Sequence, residues 1–231
     1  MNLLLLSNSK TPDGRYLPHA VEPLRTILQG RTRAAFIPFA GVTVGWDEYT
    51  EKVRTALSQL KLTITSVHAV QNPIETVKSA EIILVGGGNT FKLLGLCREK
   101  GLLNAIAGQV RDGAVYMGWS AGSNLACPTI CTTNDMPIVD PGGFDALNLV
   151  PFQINPHYTN ALPAGHQGET RNQRLAELLV ANPQMCVIGL PEGDWLEISG
   201  NQVLLRGPYP AFVFRAGREP EACKSGAIVR V

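Results

Sequence analysis

Charge is scarce in this sequence. Only 17% of its 231 residues are charged, and 20 Lys+Arg against 19 Asp+Glu leave a formal net charge of +1. Such a chain sets up no long-range field to draw in phosphate, and its basic residues are scattered rather than striped, which counts against nucleic acid as a partner. A small neutral ligand is the default expectation. Long apolar runs are missing too. The longest early one, residues 3–6, has no basic leader and is far shorter than the roughly 7 to 15 residues of a signal-peptide core, so the expected location is the cytoplasm. Nothing approaches the roughly 18 apolar residues of a membrane span, so no membrane partner is expected. Cysteine is sparse: Cys97, Cys127, Cys131, Cys186 and Cys223 are odd in number and form no CxxC pair. That argues against a disulfide framework and a thiolate metal site, and leaves reduced, mostly buried thiols. Repeats, low-complexity tracts and charge runs are absent as well.

What is plentiful is apolar. At 45% hydrophobic the chain can bury a generous core and is excluded from disorder. Gly (23) and Pro (16) punctuate it at short intervals instead of gathering into a linker, so one catalytic domain over 1–231 is expected. Short apolar runs at 2–6, 34–38, 63–68, 81–85, 114–118 and 185–190 predict strands, mostly apolar on consecutive residues as a sheet covered on both faces requires. Helices are predicted between them at 20–29, 46–60, 74–80, 90–99, 102–110 and 169–180. The βαβα alternation implies an α/β fold with a mostly parallel sheet sandwiched by helices. After Leu190, Gly-punctuated runs at 195–198, 202–206 and 211–215 suit short antiparallel strands at one edge. Ligands in such folds sit beyond the carboxyl ends of the strands, and the chemistry is sought there.

One strand, 114–117, runs straight into Gly118-Trp119-Ser120-Ala121-Gly122 and a helix start. Strand, tight turn, helix is the nucleophile-elbow arrangement, in which the turn forces the serine into strained dihedrals and its neighbours must be glycine. The alternative is a plain turn serine. A second strand, 81–85, leads into Gly86-Gly87-Gly88-Asn89-Thr90. This bare backbone lacks the Lys-Ser/Thr of a Walker loop and the spacing of a dinucleotide fingerprint. An N–H here, that of Gly88, is expected to form an oxyanion hole with the N–H of Ala121, the alternatives being a phosphate-binding loop or a tight turn.

A serine hydroxyl needs a base. Of four histidines, His19 and His68 precede any candidate site, and His166 is expected in a solvated loop; His157, in Gln153-Ile154-Asn155-Pro156-His157, is expected at a strand end, delivered by an apolar lead-in. Its other nitrogen needs a carboxylate. Glu192, in Leu190-Pro191-Glu192-Gly193, is favoured because it follows a strand at its carboxyl end; Asp135, in Thr132-Thr133-Asn134-Asp135-Met136-Pro137, either shares that job or contacts substrate. For both, a loop carboxylate capping backbone N–H groups is the plain alternative. The order Ser, His, Glu differs from α/β-hydrolases, where the acid precedes the histidine.

These blocks, together with Leu3-Leu4-Leu5-Leu6-Ser7-Asn8-Ser9, Phe36-Ile37-Pro38-Phe39-Ala40-Gly41-Val42 and Trp46-Asp47-Glu48-Tyr49-Thr50, resemble the peptidase E family of aspartyl dipeptidases over nearly the whole chain. The resemblance implies a fold related to the class I glutamine amidotransferases, flavodoxin-like in its layering, with serine where those enzymes carry cysteine. It implies a cofactor-free serine hydrolase acting on Asp-Xaa dipeptides, with Ser120 and His157 catalytic and Glu192 or Asp135 third. No obligate protein partner is evident. Selecting aspartate requires a cation, because a carboxylate is too costly to bury unpaired. Arg171 is the first choice, with Arg174 or a solvated helix face as alternatives. Rival expectations are a related hydrolase acting on an aspartate polymer or isopeptide, and a non-catalytic small-molecule binding module.

Overall fold

The computed structural model describes every residue except His166, so the sequence expectation for that histidine lies outside the described residues. Elements follow the order β1 (Asn2–Leu6), α1 (Pro18–Leu28), β2 (Arg33–Ile37), α2 (Trp46–Ala56), β3 (Thr63–Ser66), α3 (Pro73–Lys78), β4 (Ile82–Val85), α4 (Thr90–Glu99), α5 (Leu102–Arg111), β5 (Val115–Trp119) and α6 (Ala121–Ala126). They continue through β6 (Gln153–Asn155), α7 (Arg171–Ala181), β7 (Cys186–Gly189), β8 (Trp195–Ser199), β9 (Gln202–Arg206), β10 (Ala211–Arg215) and β11 (Glu221–Cys223). The last turn of the predicted 46–60 helix is a separate 3₁₀ turn, Ser58–Leu60.

Seven strands form the central sheet in the order β3-β2-β4-β5-β1-β8-β9. The first five are parallel and the last two antiparallel. The consecutive apolar residues of each strand divide by the two-residue period of the pleat. Leu3, Leu5, Ala35, Ile37, Ile83, Val85 and Tyr116 point to one face, covered by α3, α4, α5 and α6. Leu4, Leu6, Ala34, Phe36, Ile82, Leu84, Met117 and Trp119 point to the other, under α1 and α2. This is why both faces of the sequence had to be apolar.

A second sheet of four strands, β11-β10-β7-β6, packs Ile154, Ile188 and Val213 into the first of these cores and turns Val187 and Phe214 to α7. Here the structure corrects the sequence expectation. The run at 185–190 is not a member of the central sheet but pairs with β6 in parallel and with β10 in antiparallel fashion, and β10 is not part of the edge extension. A fully apolar run reports that both faces are covered and is silent on which strands lie beside it.

Candidate active site

Ser120 occupies the turn between β5 and α6 with φ 52° and ψ −112°, a strained backbone for a residue bearing a Cβ. Two neighbours allow it. A Cβ on Gly118 would lie 2.4 Å from Gly122 O, and one on Gly122 would lie 2.2 Å from Val85 O, so neither position accepts a side chain. The hydroxyl projects into a cleft of about 920 Å³ that is also lined by Gly88, Asp135, His157 and Glu192.

His157 follows β6 and also sits at positive φ, 54°. Its Nε2 lies 2.9 Å from Ser120 Oγ and its Nδ1 lies 2.6 Å from Glu192 Oε1. A carboxylate only accepts, so Nδ1 carries the proton and Nε2 is left to accept from the serine hydroxyl. Both ring nitrogens are therefore engaged. The Asp135 carboxylate is taken up elsewhere: one oxygen accepts from Thr90 N–H at 2.8 Å, Thr90 Oγ1 at 2.6 Å and Thr133 Oγ1 at 3.1 Å. It thus anchors the N-terminus of α4 and the glycine loop in front of it, where helix N–H groups and a negative charge attract.

The three loop glycines each press on a different wall. A Cβ on Gly86 would meet Tyr49 Oη at 2.6 Å, on Gly87 the Trp119 carbonyl at 2.9 Å, and on Gly88 the Ala40 carbonyl at 2.2 Å. The N–H groups of Gly88 and Ala121 donate to no other group of the described chain.

Arg171 opens α7 behind a Thr170–Gln173 capping box. It is half-buried, does not line the cleft, and donates to Asn134 Oδ1. Burial first, then the charge of Arg174, pulls its pKa below the usual guanidinium value. Asn134 in turn donates to Pro156 O at 2.7 Å, so Arg171 is linked to the chain just ahead of His157.

The residues that bring the two sheets together are not among the site residues expected from the sequence. Ser120 N–H donates to Leu6 O at 3.0 Å, while one residue on, Ser7 Oγ accepts from His157 N–H at 2.8 Å and donates to Leu190 O at 2.8 Å. Asn8 Oδ1 accepts from Gly193 N–H at 2.8 Å. The end of β1 is thus a clip between the serine turn and the turns carrying His157 and Glu192. The only available signal was a polar Ser7-Asn8 pair closing an otherwise apolar strand. Asp194 was also unforeseen: it is fully buried, one oxygen has no partner among the described residues, and burial pushes its pKa up to about 6. Among the described residues no three His, Cys, Asp or Glu side chains are grouped as metal ligands, and no helix is long and apolar enough to cross a membrane.

The family model for Peptidase family S51 matches residues 3–206. This chain belongs to that family. It is a serine peptidase, and it is 58% identical over 226 residues to the Peptidase E of Salmonella newport (strain SL254), covering 98% of this chain and 99% of the relative. The same identity and coverage hold for the Peptidase E of Shigella flexneri. Among solved structures, a Peptidase E protein from Listeria monocytogenes EGD-e is 26% identical, covers 90% of this chain and 98% of its own, and superposes with a TM-score of 0.63. A peptidase from an acI-B1 Actinobacterium, 17% identical over 100% of this chain and 96% of its own, shares the fold with a TM-score of 0.73.

Proposed function

We propose that this S51 peptidase hydrolyses Asp-Xaa dipeptides through an acyl-enzyme on Ser120, with His157 as base and Glu192 orienting it. The observation that carries this is the unbroken relay from Glu192 through His157 to Ser120, at 2.6 and 2.9 Å. Ser120 attacks the peptide carbonyl as its proton passes to His157 Nε2. The oxyanion is held by the Gly88 and Ala121 N–H groups, His157 then protonates the leaving amine, and water reverses the sequence to release aspartate. Five free cysteines support a reducing compartment, and the cytoplasm is the location proposed.

Arg171, although outside the lining of the cleft, is joined through Asn134 to the chain just ahead of His157, and it is proposed to take the aspartate side chain. A guanidinium already partly dehydrated and beside a second cation gains more from a carboxylate than a solvated one does. Arg171→Met is expected to lower kcat/KM for Asp-Leu about 10- to 100-fold, a lost charge-assisted pair, and to leave kcat/KM for Asn-Leu, which has no side-chain carboxylate, within a few-fold of the parent. Equal losses on both dipeptides would remove Arg171 from specificity.

The two carboxylates are proposed to have separate jobs. Glu192→Ala is expected to lower kcat on aspartyl p-nitroanilide by about 10²-fold at unchanged melting temperature. That is less than the roughly 10⁴-fold a buried triad acid is worth, because its side chain is 64% exposed and water partly replaces it. Asp135→Ala is expected to lower the melting temperature by several degrees as the α4 terminus and glycine loop loosen, corresponding to about 1 to 2 kcal/mol. An Asp135→Ala enzyme that is dead at the parent melting temperature, beside a fully active Glu192→Ala, would reverse the assignment.

A further inference from the structure

The oxyanion loop has a weakness in its own composition. The peptide unit joining Gly87 to Gly88 is flanked on both sides by residues without a Cβ, so it can rotate at little steric cost. Turned one way it offers an N–H to the cleft; turned the other it offers a carbonyl, which would repel the developing anion. Something outside the loop has to choose between the two.

Tyr49, from the first turns of α2, is placed to do so. Its hydroxyl donates to Gly87 O at 2.9 Å. It also accepts from Trp119 Nε1–H at 3.1 Å and from the Tyr16 hydroxyl at 3.3 Å. With its lone pairs engaged, its single proton is directed to the glycine carbonyl. The ring itself cannot drift, because it packs edge-on against Phe36 at 5.2 Å and Phe36 stacks on Trp119 at 6.0 Å. Burial pushes the Tyr49 pKa up to about 12, so the donor stays protonated through the working range of a hydrolase. In a trans peptide the C=O and N–H point in opposite directions, and there is no cis bond among the described residues.

We propose that Tyr49 is a positioning residue for the oxyanion hole: by holding the Gly87 carbonyl it turns the Gly88 N–H toward the reacting carbonyl above Ser120. Trp119, the residue before the nucleophile, hydrogen-bonds the same hydroxyl, so one oxygen ties the elbow to the glycine loop. This inference rests on the serine-hydrolase reading and on Gly88 as a donor.

The test is Tyr49→Phe, which removes that oxygen and keeps the ring. With aspartyl p-nitroanilide as substrate, kcat is expected to fall about 10- to 100-fold with KM within about twofold, since the lost interaction is made only in the transition state. The boronic acid analogue of aspartate, whose tetrahedral adduct on Ser120 places an oxygen in the hole, should lose affinity by the same factor. β-Alanine, which keeps the amine and side-chain carboxylate of aspartate but has no oxygen at the acyl position, should bind as before. Parent kcat, or boronate and β-alanine weakening together, overturns the proposal. In the parent enzyme the Gly88 amide resonance is expected to move downfield on boronate binding; a Gly88 amide that ignores the boronate overturns it without recourse to a variant. Ser120→Ala assayed alongside separates the two levels. Turnover surviving in that variant defeats the hydrolase reading itself, whereas a dead Ser120→Ala beside a Tyr49→Phe of parent rate defeats only the role given to Tyr49.

Discussion

Replacing Ser120 by alanine is expected to reduce turnover of aspartyl p-nitroanilide on the order of 10⁴- to 10⁶-fold while leaving aspartate binding measurable. The scale follows from the way a nucleophile and its base act as a unit: once the hydroxyl is gone, the imidazole 2.9 Å away has no proton to accept and only oxyanion stabilisation and substrate binding remain. Those alone keep a residual acceleration of roughly 10³ to 10⁴ over water. Substrate affinity has no comparable dependence, since the serine oxygen is one small group in a cleft of about 920 Å³. Initial rates and aspartate inhibition constants on the same preparations check the prediction. Retention of a tenth of parental turnover would mean that the peptidase uses a different nucleophile. Parallel loss of aspartate binding would mean that the substitution disturbs the elbow rather than the chemistry.

Gly88→Ala is expected to damage both the activity and the stability of the enzyme. The new Cβ would stand 2.2 Å from the Ala40 carbonyl oxygen, and the backbone φ of +141° is one that a residue with a side chain rarely adopts. Ala40 cannot simply retreat, because the same carbonyl accepts from Asn89 N–H at 2.8 Å and so fixes the start of α4. The loop must move instead, and with it the N–H proposed as an oxyanion donor. The expected result is a fall in kcat of about 10²- to 10³-fold, the worth of one such donor, with a loss of stability of about 1 to 3 kcal/mol from the strain. Gly30→Ala supplies the comparison, since its φ of +85° is equally unfavourable to a side chain but no atom lies within 4 Å of the added methyl. It should lose about 1 kcal/mol of stability and no activity. Steady-state kinetics with thermal melting on both variants decides the matter; a Gly88→Ala enzyme with parental kcat would mean that the oxyanion is held by other groups.

Much of this site was legible in the chain itself, and the reason is locality. An apolar strand running into Gly-x-Ser-x-Gly and a helix start specifies the elbow within nine consecutive residues, because the strain at Ser120 and the close approaches at Gly118 and Gly122 are properties of that short segment. The same holds for Gly86-Gly87-Gly88 between β4 and α4, and for the layered α/β architecture, whose period-2 burial is written along each strand.

The choice between carboxylates was legible only in part: the strand end before Glu192 favoured it, but Glu192 and Asp135 are both loop acids and only their partners set them apart. Asp135 is engaged by Thr90 and Thr133, and Glu192 by His157, across 45, 2 and 35 positions of sequence. Nor could the sequence say that the strand before Glu192 belongs to a second sheet. What it determined alone were the local geometries, each enforced by bonds and contacts among near neighbours. What the tertiary structure decided was their meeting: the clip at Ser7 and Asn8 that draws the His157 and Glu192 turns onto the serine, and the Tyr49 hydroxyl that reaches Gly87 from another helix. Contacts between distant segments depend on how whole layers pack, and no local pattern of residues encodes that.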